Sequence, residues 1–189
     1  HLADGLLSFF STYPVLARLV TTALEFWVEA TAEFLQRLAK DLEQIQAIFH
    51  IQEPQVTAIQ LNLSDSHKRG RSVFILTFTR GEKLVYKPKD LSLEAAYSDL
   101  LIWCNQNGAP LPFKPLNVLN RGSYGWVEFI EQQPCADYLA AQRFYQRAGM
   151  LLCLLYVLRG TDCHHENLIA CGEHPMLIDM ETLLHHQAN

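Results

Sequence analysis

The feature that most constrains the fold of this chain is a polar loop followed by a short β-hairpin near its C-terminal end. Asn167 comes five residues after Asp162, and Asp179 comes twelve residues after Asn167. Two short apolar runs within residues 168–178, separated by a glycine-containing turn, predict the hairpin. Because a hairpin returns the chain to its starting edge, we expect Asp179 to lie beside the loop that carries Asp162 and Asn167.

This spacing matches the chemical requirements of phosphoryl transfer from ATP. A carboxylate accepts the proton of the attacking hydroxyl, and an amide and a second carboxylate hold Mg²⁺ across the phosphates. Asp162 is the candidate base, and Asn167 and Asp179 are the candidate metal ligands. His164 takes the position of a phosphate-contacting lysine, and D-x-H-x-x-N is typical of lipid-kinase-type enzymes. The alternative is a polar surface loop in which Asp162 caps a turn.

A lysine supports the same interpretation from a distant part of the chain. Lys87 ends the predicted strand at residues 84–87, as the phosphate-binding lysine does on the third strand of protein kinases. The polar residues 64–70 occupy the place of a phosphate-covering loop, although no G-x-G-x-x-G is present. Glu94 is the candidate partner of Lys87, and Asp99 on the same predicted helix is its rival. Three consecutive antiparallel strands are predicted at residues 56–63, 72–79 and 84–87.

The rest of the chain divides into helices and one further strand. The first fifty residues predict two helical stretches whose apolar stripes pack against a core. Residues 140–158 predict a buried helix, and residues 93–103 a shorter helix. Residues 126–132 resemble a hinge between two lobes where adenine binds backbone groups, with an interior strand as the alternative. We therefore predict a helical segment at 1–55, an N-lobe-like sheet with helix and hinge at 56–131, and the start of a C-lobe at 132–189.

Composition limits the classes of partner. The chain has 189 residues and a net charge of −5, so nothing in its charge favours nucleic acid or an anionic membrane. The apolar run 150–158 is too short to span a bilayer, and no signal peptide or CxxC is present. These features predict a cytoplasmic protein without a transmembrane segment. The start at His1 and the end just past the acidic motif lead us to expect a fragment.

Together these motifs resemble the N-terminal dehydratase region of class II lanthipeptide (lantibiotic) synthetases, from about Thr57 onward. That resemblance implies a bifunctional enzyme that phosphorylates Ser or Thr of a precursor peptide and then eliminates phosphate. The motifs that carry it are NLSDSH at 62–67, LVYKP at 84–88, NRGSYGWVE at 120–128, YQRAGM at 145–150, GTD at 160–162, ENLI at 166–169 and LIDMET at 177–182.

The resemblance also implies roles for individual residues. Lys87 is expected to bind ATP phosphates, and Glu181 of the D-x-E motif to serve as a further metal or activation residue. Asp65 and His67 match positions used for elimination, where an acid and a base must remove a proton α to a carbonyl. The implied partner is a ribosomally made precursor peptide with a leader. A C-terminal cyclase domain is absent from this sequence, so we expect the isolated chain to dehydrate peptides poorly.

The prediction is therefore an α+β chain with an atypical, lipid-kinase-like protein-kinase fold, truncated, with an N-terminal helical addition. Two other functions stay open: an atypical kinase for a lipid or small molecule, and a non-catalytic pseudokinase or leader-peptide-binding remnant. A structural zinc site is disfavoured, because the spacing of the candidate ligands matches no common pattern. Those candidates are Cys163, His164, His165, Cys171 and His174.

Overall fold

A five-stranded antiparallel sheet is the central element of the computed structural model, which describes residues 2–61, 70–164 and 167–184. A second antiparallel sheet of two strands follows it, and helices pack on both, so the architecture is α+β. The strand order of the larger sheet is β1-β2-β3-β5-β4. Its strands are β1 (Val56–Gln60), β2 (Phe74–Phe78), β3 (Lys83–Lys87), β4 (Val118–Asn120) and β5 (Gly125–Glu128).

The first three strands are consecutive and antiparallel, which confirms the prediction from their alternating pattern. Gly81, with a φ of 88°, makes the turn between β2 and β3. Alternation then gives the sheet two distinct faces. Leu76, Leu84 and Trp126 are fully buried on one face, whereas Val85 points to the opposite face and lines a cleft.

Two helices precede the sheet. Helix α1 (Leu2–Thr12) is followed by α2 (Pro14–Phe49), which begins with proline at its first turn and ends at His50 in a left-handed conformation. The C-terminal part of α2 packs on the sheet, where Phe34 and Ile45 are buried in one core with Trp126.

The predicted core packing of the N-terminal helical stripe is wrong for the first half of α2. Its apolar side chains are exposed there, Trp27 at 60%. The reason is length, because 36 residues of helix extend about 54 Å, whereas a five-residue strand extends about 17 Å. The sheet therefore covers only part of the helix. The exposed members of the stripe there are Leu16, Val20, Leu24, Trp27 and Val28, and Leu35 in the second half is exposed as well.

A second core lies between the sheet and the C-terminal hairpin. Helix α3 (Ser92–Gln106) follows β3, and helix α4 (Tyr138–Val157) precedes the hairpin of β6 (Leu168–Cys171) and β7 (His174–Leu177). Leu101, Leu151 and Met176 belong to this core.

The prediction that the helix at 140–158 is buried holds for one face of α4 only. Leu151 and Leu155 pack in the second core, whereas Tyr156 is 85% exposed and Tyr145 and Leu152 are also exposed. The described elements pack against α4 from one side only. The high apolar content of the helix does not indicate which of its sides is covered.

Among the described residues, no single helix has the length and apolar character needed to cross a membrane. Helices α1 and α2 reach that length and composition only as a pair, and the pair is bent by 110° at Tyr13.

Candidate active site

A cleft of about 540 Å³ opens between the larger sheet and the C-terminal hairpin. Its walls are mostly apolar, as is usual for small-molecule sites; Lys87 lines it at the Gly125 end of the β3–β5 ladder and Glu128 at the other. The sheet contributes Val73, Ile75, Val85, Lys87, Val127, Glu128, Phe129 and Ile130, and the hairpin region contributes Asn167, Ile169, Ile178 and Asp179. Three of the sequence-predicted site residues therefore share one cavity.

Lys87 enters the cleft from the last position of β3, opposite Gly125 on β5. Its Nζ donates a hydrogen bond of 2.7 Å to the carbonyl oxygen of Ile178, the residue before Asp179. Burial lowers the pKa of Lys87, and the neighbouring carboxylates only partly offset this effect. The contact with Ile178 joins the sheet to the hairpin at this end of the cleft.

Glu94 on α3, rather than Asp99, lies beside Lys87. The Oε1 atom of Glu94 is 3.7 Å from the Lys87 Nζ, and Glu94 is only 2% exposed. Asp99 is exposed on the same helix. The start of α3 is fixed by Asp90, whose Oδ1 accepts hydrogen bonds from the Ser92 backbone N–H at 2.9 Å and the Ser92 hydroxyl at 2.6 Å.

Lys89 is a site residue that the sequence interpretation missed. Its Nζ is 3.3 Å from Glu94 Oε1, 3.3 Å from Asp179 Oδ1 and 2.8 Å from Glu181 Oε1. Burial lowers the pKa of Lys89, but these three carboxylates outweigh it and raise the pKa above its usual value. The signal in the sequence was the two-residue spacing from Lys87, because side chains two apart in an extended segment share a side.

The polar loop is held against the hairpin by short contacts. The Nδ2 atom of Asn167 donates to the backbone oxygen of Asp162 at 2.9 Å, and its distance to Asp162 Oδ2 is 3.4 Å. His164 Nε2 lies 3.3 Å from Asp162 Oδ1. The Ile178 backbone N–H donates to the Asn167 carbonyl at 2.9 Å. Asp162, His164 and Asn167 are therefore one contiguous group that adjoins Asp179.

Asp179 is the acidic residue of the cleft. Burial raises its pKa, but Lys89 and Lys87 outweigh that effect, so the pKa lies below its usual value and the side chain is ionised. Its Oδ1 also accepts a hydrogen bond of 3.2 Å from the Glu181 backbone N–H. The predicted D-x-E motif therefore forms a compact turn with both carboxylates at Lys89.

The hairpin is fixed to α4 by a buried arginine. Arg147 is 3% exposed, and its guanidinium donates to the carbonyl oxygens of Pro112 at 2.9 Å and Glu173 at 3.1 Å. The Glu173 carboxylate lies 2.9 Å from the same guanidinium. These contacts set the position of β6 and β7, and with them the position of Asn167 and Asp179.

Asn167 and Asp179 are the side chains of the cleft that could hold Mg²⁺. Across the residues with described positions, no three His, Cys, Asp or Glu side chains form a group suited to a metal ion. Mg²⁺ commonly uses one or two carboxylates and completes its shell with water and substrate phosphates. An ionised Asp179 that lines the same cavity as Asn167 fits that pattern. Asp65, His67 and His165 lie outside the described residues.

Comparison with known proteins agrees with the resemblance in the motifs. The chain is 28% identical over 179 residues to the Lacticin 481/lactococcin biosynthesis protein LcnDR2 of Lactococcus lactis subsp. lactis. The alignment covers 90% of this chain and 19% of that relative, so the chain spans less than a fifth of the relative's length. The predicted resemblance to the lanthipeptide synthetases is thereby confirmed. A family described as "Domain of unknown function (DUF4135)" matches residues 13–189, and the chain belongs to that family.

Proposed function

We propose that this chain carries the phosphotransferase centre of a lanthipeptide-modifying enzyme, which uses ATP and Mg²⁺ to phosphorylate Ser or Thr of a precursor peptide. The observation that carries the proposal is the convergence of Lys87, Asn167 and Asp179 in one mostly apolar cleft. These are the cation, amide and carboxylate that phosphoryl transfer requires. The proposed fold is correspondingly an atypical protein-kinase fold, with the cleft between its two lobes.

The nucleotide has a suitable place in this cleft. A volume of about 540 Å³ is within the usual range for small-molecule sites. Apolar side chains such as Ile75, Val85 and Val127 would pack on an adenine ring, and residues 129 and 130, which follow the end of β5 and also line the cleft, would supply backbone hydrogen-bonding groups. The phosphates then extend toward Lys87, whose ammonium group balances their charge.

The proposed chemistry assigns one task to each polar residue. Asp162 accepts the proton of the substrate hydroxyl as its oxygen forms a bond to the γ-phosphorus, while the bond from that phosphorus to the β–γ bridging oxygen breaks and ADP leaves. His164 donates a hydrogen bond to the transferring group. Asn167 and Asp179 would hold Mg²⁺, with Glu181 adjacent. Bound Mg²⁺ would shield the negative charge of the phosphates.

The substrate class rests on the relative rather than on the cleft. Because LcnDR2 is named as a biosynthesis protein for lacticin 481 and lactococcin, we infer a ribosomally made peptide as phosphoryl acceptor. In the whole enzyme the phosphorylated residue loses its α-proton, the Cβ–O bond breaks, phosphate leaves and a Cα=Cβ double bond forms. Asp65 and His67 are the proposed acid and base for that step.

Nucleotide binding tests the proposal without requiring a peptide. The measurement is calorimetric titration of the 189-residue chain with a non-hydrolysable ATP analogue, with and without Mg²⁺. Lys87→Met should weaken binding about 10- to 100-fold, the range expected for a charge-assisted contact, and Asp179→Asn should abolish the Mg²⁺ dependence. Lys40→Met, on the exposed side of α2, is the control.

The outcomes separate the alternatives. Binding that is unchanged in both Lys87→Met and Asp179→Asn would contradict an enzymatic role and favour a non-catalytic module. Mg²⁺-dependent binding with transfer to a lipid or small molecule, and none to Ser/Thr peptides, would favour the other kinase class.

A further inference from the structure

Lys89 forms the most highly charged contact network at the candidate site, and no step of the proposed chemistry uses it. Its ammonium group lies within 3.3 Å of carboxylate oxygens from Glu94, Asp179 and Glu181. Two of these carboxylates belong to the D-x-E turn at the end of the cleft, and the third comes from α3. One cation therefore joins the candidate metal-binding turn to the sheet side of the site.

Glu94 gives this lysine a buried partner that does not belong to the D-x-E turn. The carboxylate is buried, and its Oε1 atom accepts no hydrogen bond within the described part of the chain, although two ammonium groups lie 3.3 and 3.7 Å away. A buried carboxylate is costly unless a cation stays near it. Lys87 already donates to the Ile178 carbonyl, so Lys89 makes the closer approach to Glu94.

The charges explain why Lys89 cannot keep all three contacts when a divalent cation binds. Glu94, Asp179 and Glu181 carry three negative charges, and Lys87 and Lys89 carry two positive ones, so the group has a net charge of −1. A divalent cation at Asp179 would reverse the sign to +1 and repel the nearby ammonium. Lys89 can then retain Glu94, while its charge becomes available to an anion such as a polyphosphate.

We propose that Lys89 is a second phosphate-binding cation that exchanges partners: it occupies Asp179 and Glu181 when no divalent cation is bound, and it pairs with the polyphosphate when one is. The inference rests on the proposed function. Lys89 then competes with the metal for the carboxylates and weakens binding of the metal alone, whereas it strengthens binding of the metal–nucleotide complex. Removing Lys89 should therefore change these two affinities in opposite directions. A lysine that only stabilises the fold would produce neither.

Two titrations on the 189-residue chain measure these effects. The first follows Mn²⁺ binding by electron paramagnetic resonance without nucleotide, and the second follows a non-hydrolysable ATP analogue at saturating Mn²⁺. Removing one nearby positive charge with Lys89→Gln should strengthen Mn²⁺ binding about tenfold and weaken analogue binding about tenfold. Lys89→Arg should stay near the unsubstituted protein in both. Lys40→Gln, which removes the same charge from exposed α2, should change neither.

A measurement on the unsubstituted protein removes any dependence on the folding of the variant. In protein labelled with ¹³C at lysine Cε, the Lys89 signal should shift on adding Mg²⁺ alone and shift again on adding the analogue. A Lys89 signal that does not respond to Mg²⁺, or a Lys89→Gln variant with equal or weaker Mn²⁺ affinity, would overturn the inference. If the unsubstituted chain binds the metal and the analogue in that case, the proposed function stands. If it binds neither, both proposals fail.

Discussion

Removing the carboxylate of Asp41 should destabilise the protein strongly, although Asp41 is far along the sequence from the candidate site. Asp41 is 0% exposed on α2 and accepts a hydrogen bond of 2.9 Å from the Trp126 indole N–H on β5. Its other oxygen is 2.7 Å from the Arg121 guanidinium. Asp41→Ala leaves a buried indole N–H without its acceptor and a half-buried guanidinium without its anion.

The expected magnitude follows from these two losses. Breaking a buried ion pair by removing one partner costs about 3–5 kcal/mol. Asp41→Asn keeps an acceptor for Trp126 and loses only the charge, so we expect about 2 kcal/mol for it. With a denaturant slope of about 2 kcal/mol per molar urea, the unfolding midpoint of Asp41→Ala should fall by about 1.5–2.5 M.

Urea unfolding followed by tryptophan fluorescence and far-ultraviolet circular dichroism is the assay. Glu43→Ala, an exposed carboxylate two residues further along α2, is the matched control and should change the free energy of unfolding by less than about 0.5 kcal/mol. Combining Asp41→Ala with Arg121→Ala should give a coupling energy above about 1 kcal/mol. If Asp41→Ala unfolds at the same urea concentration as the Glu43 control, α2 is not part of the cooperative core and the reasoning is wrong.

The same carboxylate predicts a pH dependence. Burial raises the pKa of Asp41, but the Trp126 indole and the Arg121 guanidinium outweigh it and hold the pKa below its usual value. Its contribution is therefore present above the unfolded-state pKa of about 3.9 and is lost as the pH falls through the lower folded-state pKa. Asp41→Asn should show a smaller loss of stability than the unsubstituted protein over that acidic range.

Two further substitutions test the surroundings of the candidate site. Glu94→Gln removes the buried anion beside Lys89 and should lower the free energy of unfolding by about 2 kcal/mol. If the variant and the unsubstituted protein unfold at the same urea concentration, the Glu94 charge does not stabilise the two lysines. Gly125→Ala would place its Cβ 2.6 Å from the Leu119 carbonyl oxygen, so the strand must shift, and we expect a loss of about 2–3 kcal/mol. Gly149→Ala, which meets nothing within 4 Å on α4, is the control, and a loss there as large as at Gly125 would contradict the steric argument.

The sequence predicted the parts of the fold whose signals are local. Alternation and the turn at Gly81 located the three consecutive strands, and the hairpin at residues 168–178 appeared where the apolar runs placed it. Strand β4 was not predicted, because three residues are too few for a periodic signal. The exposed half of α2 was misassigned because periodicity identifies an apolar face but does not tell what covers it.

The candidate site likewise has a part that the local sequence predicts and a part that it does not. The spacing of Asp162, Asn167 and Asp179 follows from a loop and a hairpin, so local sequence was enough to predict that these residues lie together. The spacing from Lys87 could place Lys89 on the same side of the chain, but its importance could not be judged from the sequence, since it comes from carboxylates five and ninety residues further on. The choice of Glu94 over Asp99 likewise depends on which side of α3 packs inward, and both residues lie on the same predicted helix.

The alternation of β3 and β5 links the N-terminal helix to the cleft. Tyr86 and Trp126 face α2, where the Arg37 guanidinium donates to the Tyr86 hydroxyl at 2.7 Å and Asp41 accepts from Trp126. The neighbouring residues, Lys87 among them, face the cleft on the opposite side. Because adjacent residues of one strand cannot move independently, contacts on the helix side also fix the backbone from which the Lys87 side chain extends. Helix α2 therefore stabilises the face of the sheet that lies opposite the cleft, and it contributes no side chain to the cleft itself.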